Sequence, residues 1–228
     1  MDFFYQYRKL LIGILLLCVG WWRFSPYSPR VVMPTYLNAG VDCSQFPPMA
    51  MGDEPLQTEV PTGMQPFVLP KVKLTPLAGF SMPARVLHRA SYLYDEHASI
   101  STTDWFVGWG FMANEKVVKR LKFEQRARFG GIAGTKDGGS MPYSYDDMYL
   151  NASNVHLIPA NKKIATQISG IKVGDNVRVD GWLVRVDMGN RYVLSSLSRT
   201  DRGAGACEVI LVCNVTRLAS EKVWPDYK

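Results

Sequence analysis

The chain has 228 residues, enough for one ordinary domain with additional segments. Hydrophobic residues make up 47% and charged residues 20%, a balance typical of a globular protein and unlike that of a disordered one. Lysine and arginine outnumber aspartate and glutamate by 26 to 20, and the excess falls after residue 70. This modest positive charge favours acidic partners, but on its own it does not indicate a nucleic-acid-binding protein.

The N-terminal segment, residues 1–23, predicts a membrane anchor. Residues 10–22 carry no charge and follow Arg8 and Lys9. The run is shorter than the ~20 residues that cross a bilayer core comfortably, but aromatic residues extend it at both ends. No cleavage signature follows, so an uncleaved anchor is expected rather than a signal peptide. Positive charge is denser on the N-terminal side, which predicts a single pass through a bacterial inner membrane with the C-terminal domain in the periplasm.

The next segment, residues 24–70, is predicted to be a linker because nine of the fourteen prolines fall there. It has few periodic apolar stretches, so turns and polyproline II structure are expected. Three interpretations remain open: a stalk that holds the domain away from the membrane, a strip that docks on a partner, or a disordered tether.

The globular domain is predicted over residues 71–222, with a tail at 223–228. Met82–Ala90 alternates between apolar and polar residues as a strand does. Ser101–Asp104 offers N-cap residues for a helix over the following residues W-F-V-G-W-G, and Asn114 can cap a second short helix.

The best-defined part of the domain lies nearer the C-terminus. Asn154–Pro159 is predicted to be extended, and Asn161 is a candidate cap for a short helix. Three further strands are predicted, over residues 174–187, 191–198 and 207–215. Gly181, inside the first of them, predicts a bulge or a sharp bend. We therefore expect an α+β domain, built on a small bent antiparallel sheet or an oligonucleotide-fold-like barrel with short packed helices.

The four cysteines allow one disulfide within the domain. Cys18 lies in the predicted anchor, which leaves Cys43, Cys207 and Cys213. Cys207 and Cys213 are six residues apart on one predicted strand, about 20 Å, which is too far for a bond between them. Either one can pair with Cys43, so at least one thiol stays free within a monomer. No C-x-x-C motif occurs, and a zinc ribbon therefore has no support.

The connection Ser195–Glu208 is longer and more polar than an ordinary hairpin turn. Its glycines can adopt positive φ and form an anion-binding nest, and Arg199, Asp201 and Arg202 can form a salt-bridged turn. A strand follows the glycines rather than a helix, so a structural corner between two strands is the favoured interpretation.

Two motifs support a family resemblance: N-x-H-x-I-P-A at residues 154–160 and S-S-L-x-R-x-D-x-G-x-G-A-C-E at 195–208. Together with W-F-V-G-W-G-F-M they resemble an uncharacterised family of small membrane-anchored bacterial proteins. The resemblance spans Ala84 to Val215 and implies a shared fold, with no activity to transfer. The chemistry of the residues in and beside these two motifs makes the following the candidate binding residues: Asn154, His156, Ser196, Arg199, Asp201, Arg202 and Glu208.

A catalytic pair of His156 with Cys207 is a further hypothesis, with Glu208 or Asp201 orienting the imidazole. Neighbouring residues on a regular strand face opposite sides, so Cys207 and Glu208 are not expected to line one site. A buried or disulfide-bonded Cys207 is favoured, as is a core or interface His156 that is bonded to backbone. No catalytic residue is therefore assigned.

Other polar clusters are interpreted as surface. Lys116, Lys119, Arg120 and Lys122 form a basic patch that suits a solvated face or a docking site for acidic partners or lipid. The spacing of His88, Asp95, Glu96 and His97 matches no metal site, and no cofactor is expected.

The favoured function is a non-enzymatic one: a single-pass inner-membrane protein whose periplasmic domain binds a membrane or envelope protein within a cell-envelope assembly. One alternative is an envelope hydrolase that uses His156 with Cys207 or a serine. The other is a cytosol-facing barrel that binds nucleic acid.

Overall fold

A computed structural model describes residues 2–25, 28, 30–201, 203 and 205–226, with side chains from residue 7 onward. Arg202, a predicted binding residue, lies outside the described residues. The α-helices are α1 (Asp2–Phe24), α2 (Glu115–Val118), α3 (Tyr145–Leu150) and α4 (Lys162–Gly170). The strands are β1 (Leu56–Thr58), β2 (Phe67–Leu69), β3 (Val72–Ser91), β4 (Thr103–Gly108), β5 (Leu121–Arg126), β6 (Phe129–Thr135), β7 (Ala152–Pro159), β8 (Asn176–Met188), β9 (Arg191–Leu194) and β10 (Glu208–Arg217).

The domain is α+β, as predicted, and is built on a large mixed sheet. The strand pairing in this sheet begins and ends at β3. β3 pairs with β4, β4 with β7, β7 with β10, β10 with β8, and β8 again with β3. The prediction of a purely antiparallel sheet is wrong, because β7 and β10 are parallel. β10 enters the sheet between β7 and β8, and its antiparallel pairing with β8 leaves it parallel to β7.

One buried cluster fills the inside of this closed sheet and receives side chains from all five of its strands. Trp105 and Val107 of β4 point into it, as do Val155 and Leu157 of β7. Because successive strand residues face opposite sides, the residues between them lie on the outer face of β4 and β7. That outer face carries the candidate site described below.

Helix α4 closes one side of the cluster and confirms the predicted short helix. The Asn161 side chain accepts a hydrogen bond from the Ile164 N–H at 3.1 Å, which satisfies a free donor of the first turn. Ile164 and Ile168, four residues apart, both pack into the cluster.

The predicted helix over W-F-V-G-W-G is wrong, because Thr103–Gly108 forms strand β4. All six of its residues are buried. A strand that is buried on both faces has no polar alternation, so its sequence cannot be told from a buried helix by periodicity. Trp105 and Trp109 are both core residues, as predicted, but not on one face of a helix.

Gly181 marks a close approach of two strands rather than a bulge in its own strand. A Cβ at this position would overlap the carbonyl oxygen of Leu211. The shift in register lies instead on the partner strand, between Val212 and Asn214 of β10.

Residues 24–70, expected to be a linker, are attached to the closed sheet over much of their length. β1 and β2 pair with β3, and Leu37 is fully buried. A disulfide joins Cys43 to Cys213 of β10, with the two Cα atoms 5.6 Å apart, and Cys207 is a free buried thiol.

The predicted anchor at residues 10–22 lies within α1, where the apolar side chains are largely exposed. Within the described part of the chain, no helix is both long enough and apolar enough to span a membrane.

Candidate functional site

The outer face of β4 and β7 gathers polar side chains from two cross-strand pairs. Asp104 of β4 lies opposite His156 of β7, and Phe106 lies opposite Asn154. β10 runs beside β7 with Glu208 opposite Val155, so Cys207, one residue earlier, lies next to this group. The register of three strands therefore brings Asp104, His156 and Cys207 together from distant parts of the sequence.

The imidazole of His156 lies between a carboxylate and a thiol. Its Nδ1 is 3.0 Å from Oδ1 of Asp104, which is completely buried. Burial by itself lowers the pKa of His156, but its interactions with Asp104 and with the Cys207 side chain outweigh burial and raise that pKa to about 9. The imidazole is therefore protonated near pH 7 and holds a positive charge beside the sulfur.

A cation from a separate hairpin sets the position of Asp104. β5 and β6 are joined by Ala127 and Arg128, both with positive φ (45° and 69°), the geometry of a tight two-residue turn. The buried Arg128 guanidinium donates to Asp104 at 3.1 Å and to the Ser101 carbonyl at 2.9 Å. It also donates two hydrogen bonds to Asp95, at 2.6 and 2.8 Å. The hairpin tip thus fixes the carboxylate that faces His156.

The amide of Asn154 is fixed at the other side of the sulfur. Its Oδ1 accepts hydrogen bonds from the Gly130 N–H at 2.9 Å and from Gln125 Nε2 at 3.2 Å. Its Nδ2 donates to the Arg128 carbonyl at 2.8 Å and to Cys207 Sγ at 3.4 Å. Both acceptors of Nδ2 belong to the site, so one of its two N–H groups points at Cys207 Sγ.

The corner Ser195–Glu208 delivers Cys207 and is held by local bonds. Ser196 Oγ donates to Asp201 at 2.7 Å, and Arg199 donates to the Pro55 carbonyl at 2.6 Å. Gly203 and Gly205 have φ of 80° and 94°, so the corner does use glycine where positive φ is required.

Glu208 is a buried acid next to Cys207. Burial raises its pKa to about 7, and the charge of Asp201 adds to this, while the Ser153 hydroxyl that donates to its carboxyl and the charge of Arg199 act against it. Glu208 therefore exchanges its proton near neutral pH.

Two cavities meet at Cys207. The first, about 240 Å³, is called the aromatic cavity here because its lining includes Phe106, Trp109, Phe129 and Tyr149. The second, about 210 Å³, is called the imidazole cavity because its lining includes His156, together with His97, Arg128 and Leu194. Cys207 and Phe129 line both. Cys207, which is 9% exposed as a residue, therefore lies where the two cavities adjoin.

The outcome for the predicted residues is mixed. The structure brings Asn154, His156 and Cys207 together, and it places Arg199, Asp201 and Glu208 around the aromatic cavity. The expectation that Cys207 and Glu208 face different sites is wrong: both line the aromatic cavity, because Cys207 precedes the regular part of β10. The expectation of a backbone-bonded His156 is also replaced, since its Nδ1 faces a carboxylate.

The predicted basic patch is separate from this site. Lys116, Lys119 and Arg120 lie on or just after α2 and Lys122 lies on β5, all of them exposed. Lys119 pairs with Glu115 at 2.9 Å. None of the four lines either cavity.

Two site residues were missed in the sequence. Asp104 was interpreted as part of a helix cap, and Arg128 was not singled out as a site residue. The sequence offered one signal for Asp104. Its carboxylate directly precedes the apolar residues W-F-V, and a charge that is buried with such residues needs a partner.

Comparison with known proteins finds no matching family model, no similar curated protein and no similar solved structure. Among the residues that the structure describes, no group of three or more His, Cys, Asp or Glu side chains is arranged to hold a metal ion. A functional conclusion therefore depends on the geometry of the site.

Proposed function

We propose that this chain is a cysteine hydrolase that transfers an acyl group from its substrate to Cys207 and then to water. The observation that carries the proposal is the order Asp104, His156, Cys207, with a buried carboxylate 3.0 Å from one ring nitrogen and the thiol beside the imidazole. Nucleophile, base and orienting acid in this order are the arrangement that activates a thiol for acyl transfer.

Each residue has a defined role in the reaction. The Cys207 thiolate attacks the substrate carbonyl carbon, and protonated His156 gives its proton to the leaving group as the bond to that group breaks. A water molecule gives a proton to the now neutral His156 and attacks the thioester, and breakage of the carbon–sulfur bond releases the acid and restores the thiolate and the protonated imidazole. The Asp104 carboxylate lies 3.0 Å from Nδ1 and stabilises the charged imidazole, although Nδ1 makes no hydrogen bond to it. Asn154 Nδ2, which donates to Sγ, is positioned to donate to the oxyanion that forms beside it.

The proposal includes a finer description of the fold, as an oligonucleotide-fold-like barrel. Numbered along the chain, the five strands of the closed sheet pair in the order first, second, third, fifth, fourth and first again. Barrels of that kind bind ligands on the face of their second and third strands, which here are β4 and β7. That face is covered by the β5–β6 hairpin and contains Asp104, which favours a small enclosed substrate over a nucleic-acid strand.

The proposal is tested by hydrolysis of activated esters such as p-nitrophenyl acetate. Cys207→Ala is expected to abolish burst release of nitrophenolate, and His156→Gln to slow it by about 100-fold or more. Cys18→Ser is the matched control, because it removes the other free thiol and lies outside the site. A burst that survives in Cys207→Ala would contradict the proposal.

We also propose that the domain works in the periplasm, held at a bacterial inner membrane by the exposed apolar side chains of α1. Two observations support this: disulfides such as Cys43–Cys213 persist in oxidising compartments, and α1 exposes Leu16 and Leu17 by 64% and 75%. A C-terminal alkaline phosphatase fusion is expected to be active in cells. Activity of a cytosolic reporter at the same position, without phosphatase activity, would contradict this location.

Binding of an envelope protein is the second candidate function. The observation that favours it is the exposed apolar surface of residues 46–51, where Met51 is 94% and Phe46 is 51% exposed. A photocrosslinker at position 49 is expected to capture a membrane or envelope protein in cells, and Met51→Ser should reduce that product. Absence of any captured envelope protein would contradict this candidate.

A further inference from the structure

We infer that substrates lie across Cys207 in one orientation, with an aromatic or bulky apolar acyl group in the aromatic cavity and the leaving group in the imidazole cavity. The inference deepens the proposed function and rests on it. It assigns the substrate class as esters, thioesters or amides of such acids.

The orientation follows from which polar groups line which cavity. His156 lines the imidazole cavity but not the aromatic one. The group that protonates a leaving atom must be within hydrogen-bonding reach of it, so the leaving group belongs on the side of His156. Asn154 lines the aromatic cavity only, and its Nδ2 is 3.4 Å from Sγ. The carbonyl oxygen and the acyl group behind it therefore belong on the side of Asn154.

The acyl class follows from the side chains of the aromatic cavity. Four aromatic rings line it, and Phe106 and Tyr149 are in edge-to-face contact with centroids 6.3 Å apart. Arg199 lies over the ring of Trp109, with its Cζ 5.7 Å from the ring centroid. Arg199, Asp201 and Glu208 line the same cavity, so its wall combines aromatic rings with charged groups. Aromatic side chains in a cavity wall favour a flat aromatic or apolar acyl group, and this is the class we assign.

The step is balanced in atoms and electrons. The bond from Sγ to the acyl carbon forms as the bond from that carbon to the leaving atom breaks, and the proton on His156 moves to the leaving atom. Hydrolysis of the thioester then consumes one water molecule and returns the proton to the imidazole. No oxidant or reductant is needed.

The test compares p-nitrophenyl phenylacetate with p-nitrophenyl acetate in a Cys18→Ser background, measuring nitrophenolate release and the mass of the acyl-enzyme. Relative to uncatalysed hydrolysis, phenylacetyl transfer is expected to be about tenfold or more faster than acetyl transfer. Ser198→Trp places a bulky ring at the aromatic cavity and should reduce this preference by about tenfold. His97→Trp, at the imidazole cavity and equally exposed, is the matched control and should leave the acyl preference unchanged.

The outcomes separate the inference from the proposed function. If His97→Trp changes the acyl preference and Ser198→Trp does not, the orientation is reversed and the inference is overturned. If neither variant changes it, the aromatic cavity does not receive the acyl group. Ala206→Phe, a second change at the aromatic cavity, guards against a folding defect of Ser198→Trp and must agree with it. If wild-type protein forms no acyl-Cys207 with either ester, the proposed function itself fails and the inference falls with it.

Discussion

At the scale of single residues, His156 links the charge of the site to the stability of the fold. Its pKa is raised from 6.5 to about 9, so the folded protein holds this proton more tightly than the unfolded chain. The resulting stabilisation is fully present below pH 6.5 and is lost as the pH rises through 9. A shift of this size corresponds to about 3 kcal/mol.

The first prediction concerns this pH window. Wild-type protein is expected to lose up to about 3 kcal/mol of unfolding free energy between pH 6.5 and 9, relative to His156→Gln. Urea unfolding at a series of pH values measures the difference. Parallel curves for the two proteins would show that His156 gains no proton affinity on folding.

The second prediction concerns Glu208, which changes the stability over a lower pH range than His156 does. Burial raises its pKa from 4.5 to about 7, so its folded form also holds the proton more tightly than the unfolded form. The associated stability is present below pH 4.5 and is lost as the pH rises through 7, by about 3 kcal/mol. Glu208→Gln stays neutral and should remove this decline while leaving stability at pH 4.5 nearly unchanged. If the stability of Glu208→Gln falls as steeply with pH as that of the wild type, a group other than Glu208 titrates in this range.

At the scale of elements, the β5–β6 hairpin acts through the side chain at its tip. Arg128 is buried and pairs with both Asp95 and Asp104, whereas Arg126, two residues earlier, pairs with Glu124 at 82% side-chain exposure. One hairpin therefore carries a buried ion pair and an exposed one. This offers a matched comparison.

The third prediction uses that comparison. Arg128→Met leaves the buried Asp104 carboxylate with the His156 imidazole as its one remaining cationic neighbour among the pairs found, and should lower the unfolding free energy by about 3 kcal/mol. Arg126→Met should change it by less than about 0.5 kcal/mol, because exposed pairs contribute little. Chemical denaturation measures both. Equal effects of the two changes would contradict the role given to the hairpin tip.

The elements also show what could be predicted from sequence. α4 and the C-terminal strands were predictable because their signals are local: an Asn161 cap, a Gly189 turn and periods of apolar residues. β4 was not, because full burial removes its alternation. Half of the site could be predicted, because a histidine and a cysteine are recognisable as chemically reactive residue types. Asp104 could not, because it meets His156 and Cys207 only through the register of β4 with β7. No local sequence pattern encodes that register.

At the scale of the whole molecule, the disulfide is the covalent tie between the N-terminal segment and the closed sheet. It joins residues 170 positions apart, Cys43 before β1 and Cys213 on β10. Nothing in the sequence decided between Cys207 and Cys213 as the partner, because the choice depends on where along β10 the N-terminal segment packs. Cys207 is left free beside His156, as the proposed chemistry requires.

The fourth prediction concerns this tie. Cys43→Ser with Cys213→Ser is expected to lower the unfolding free energy by about 2–5 kcal/mol, since the long loop is no longer closed in the unfolded chain. Thermal or urea unfolding measures the loss, and Cys18→Ser serves as the control for removal of a cysteine that forms no disulfide. A double variant as stable as wild type would mean that the segment is held by packing alone.

The fifth prediction tests the central claim, that Cys207 and His156 form a reactive pair, and it needs no knowledge of the substrate. The measurement is the rate at which iodoacetamide alkylates Cys207 at pH 6.5 in a Cys18→Ser background, followed by intact mass. The pairing predicts that Cys207 reacts in the folded protein and that His156→Gln slows the reaction by about tenfold or more, because a thiol reacts as its anion and the variant removes the positive charge beside the sulfur. The same rate with and without His156, or no alkylation until the protein unfolds, would contradict the account.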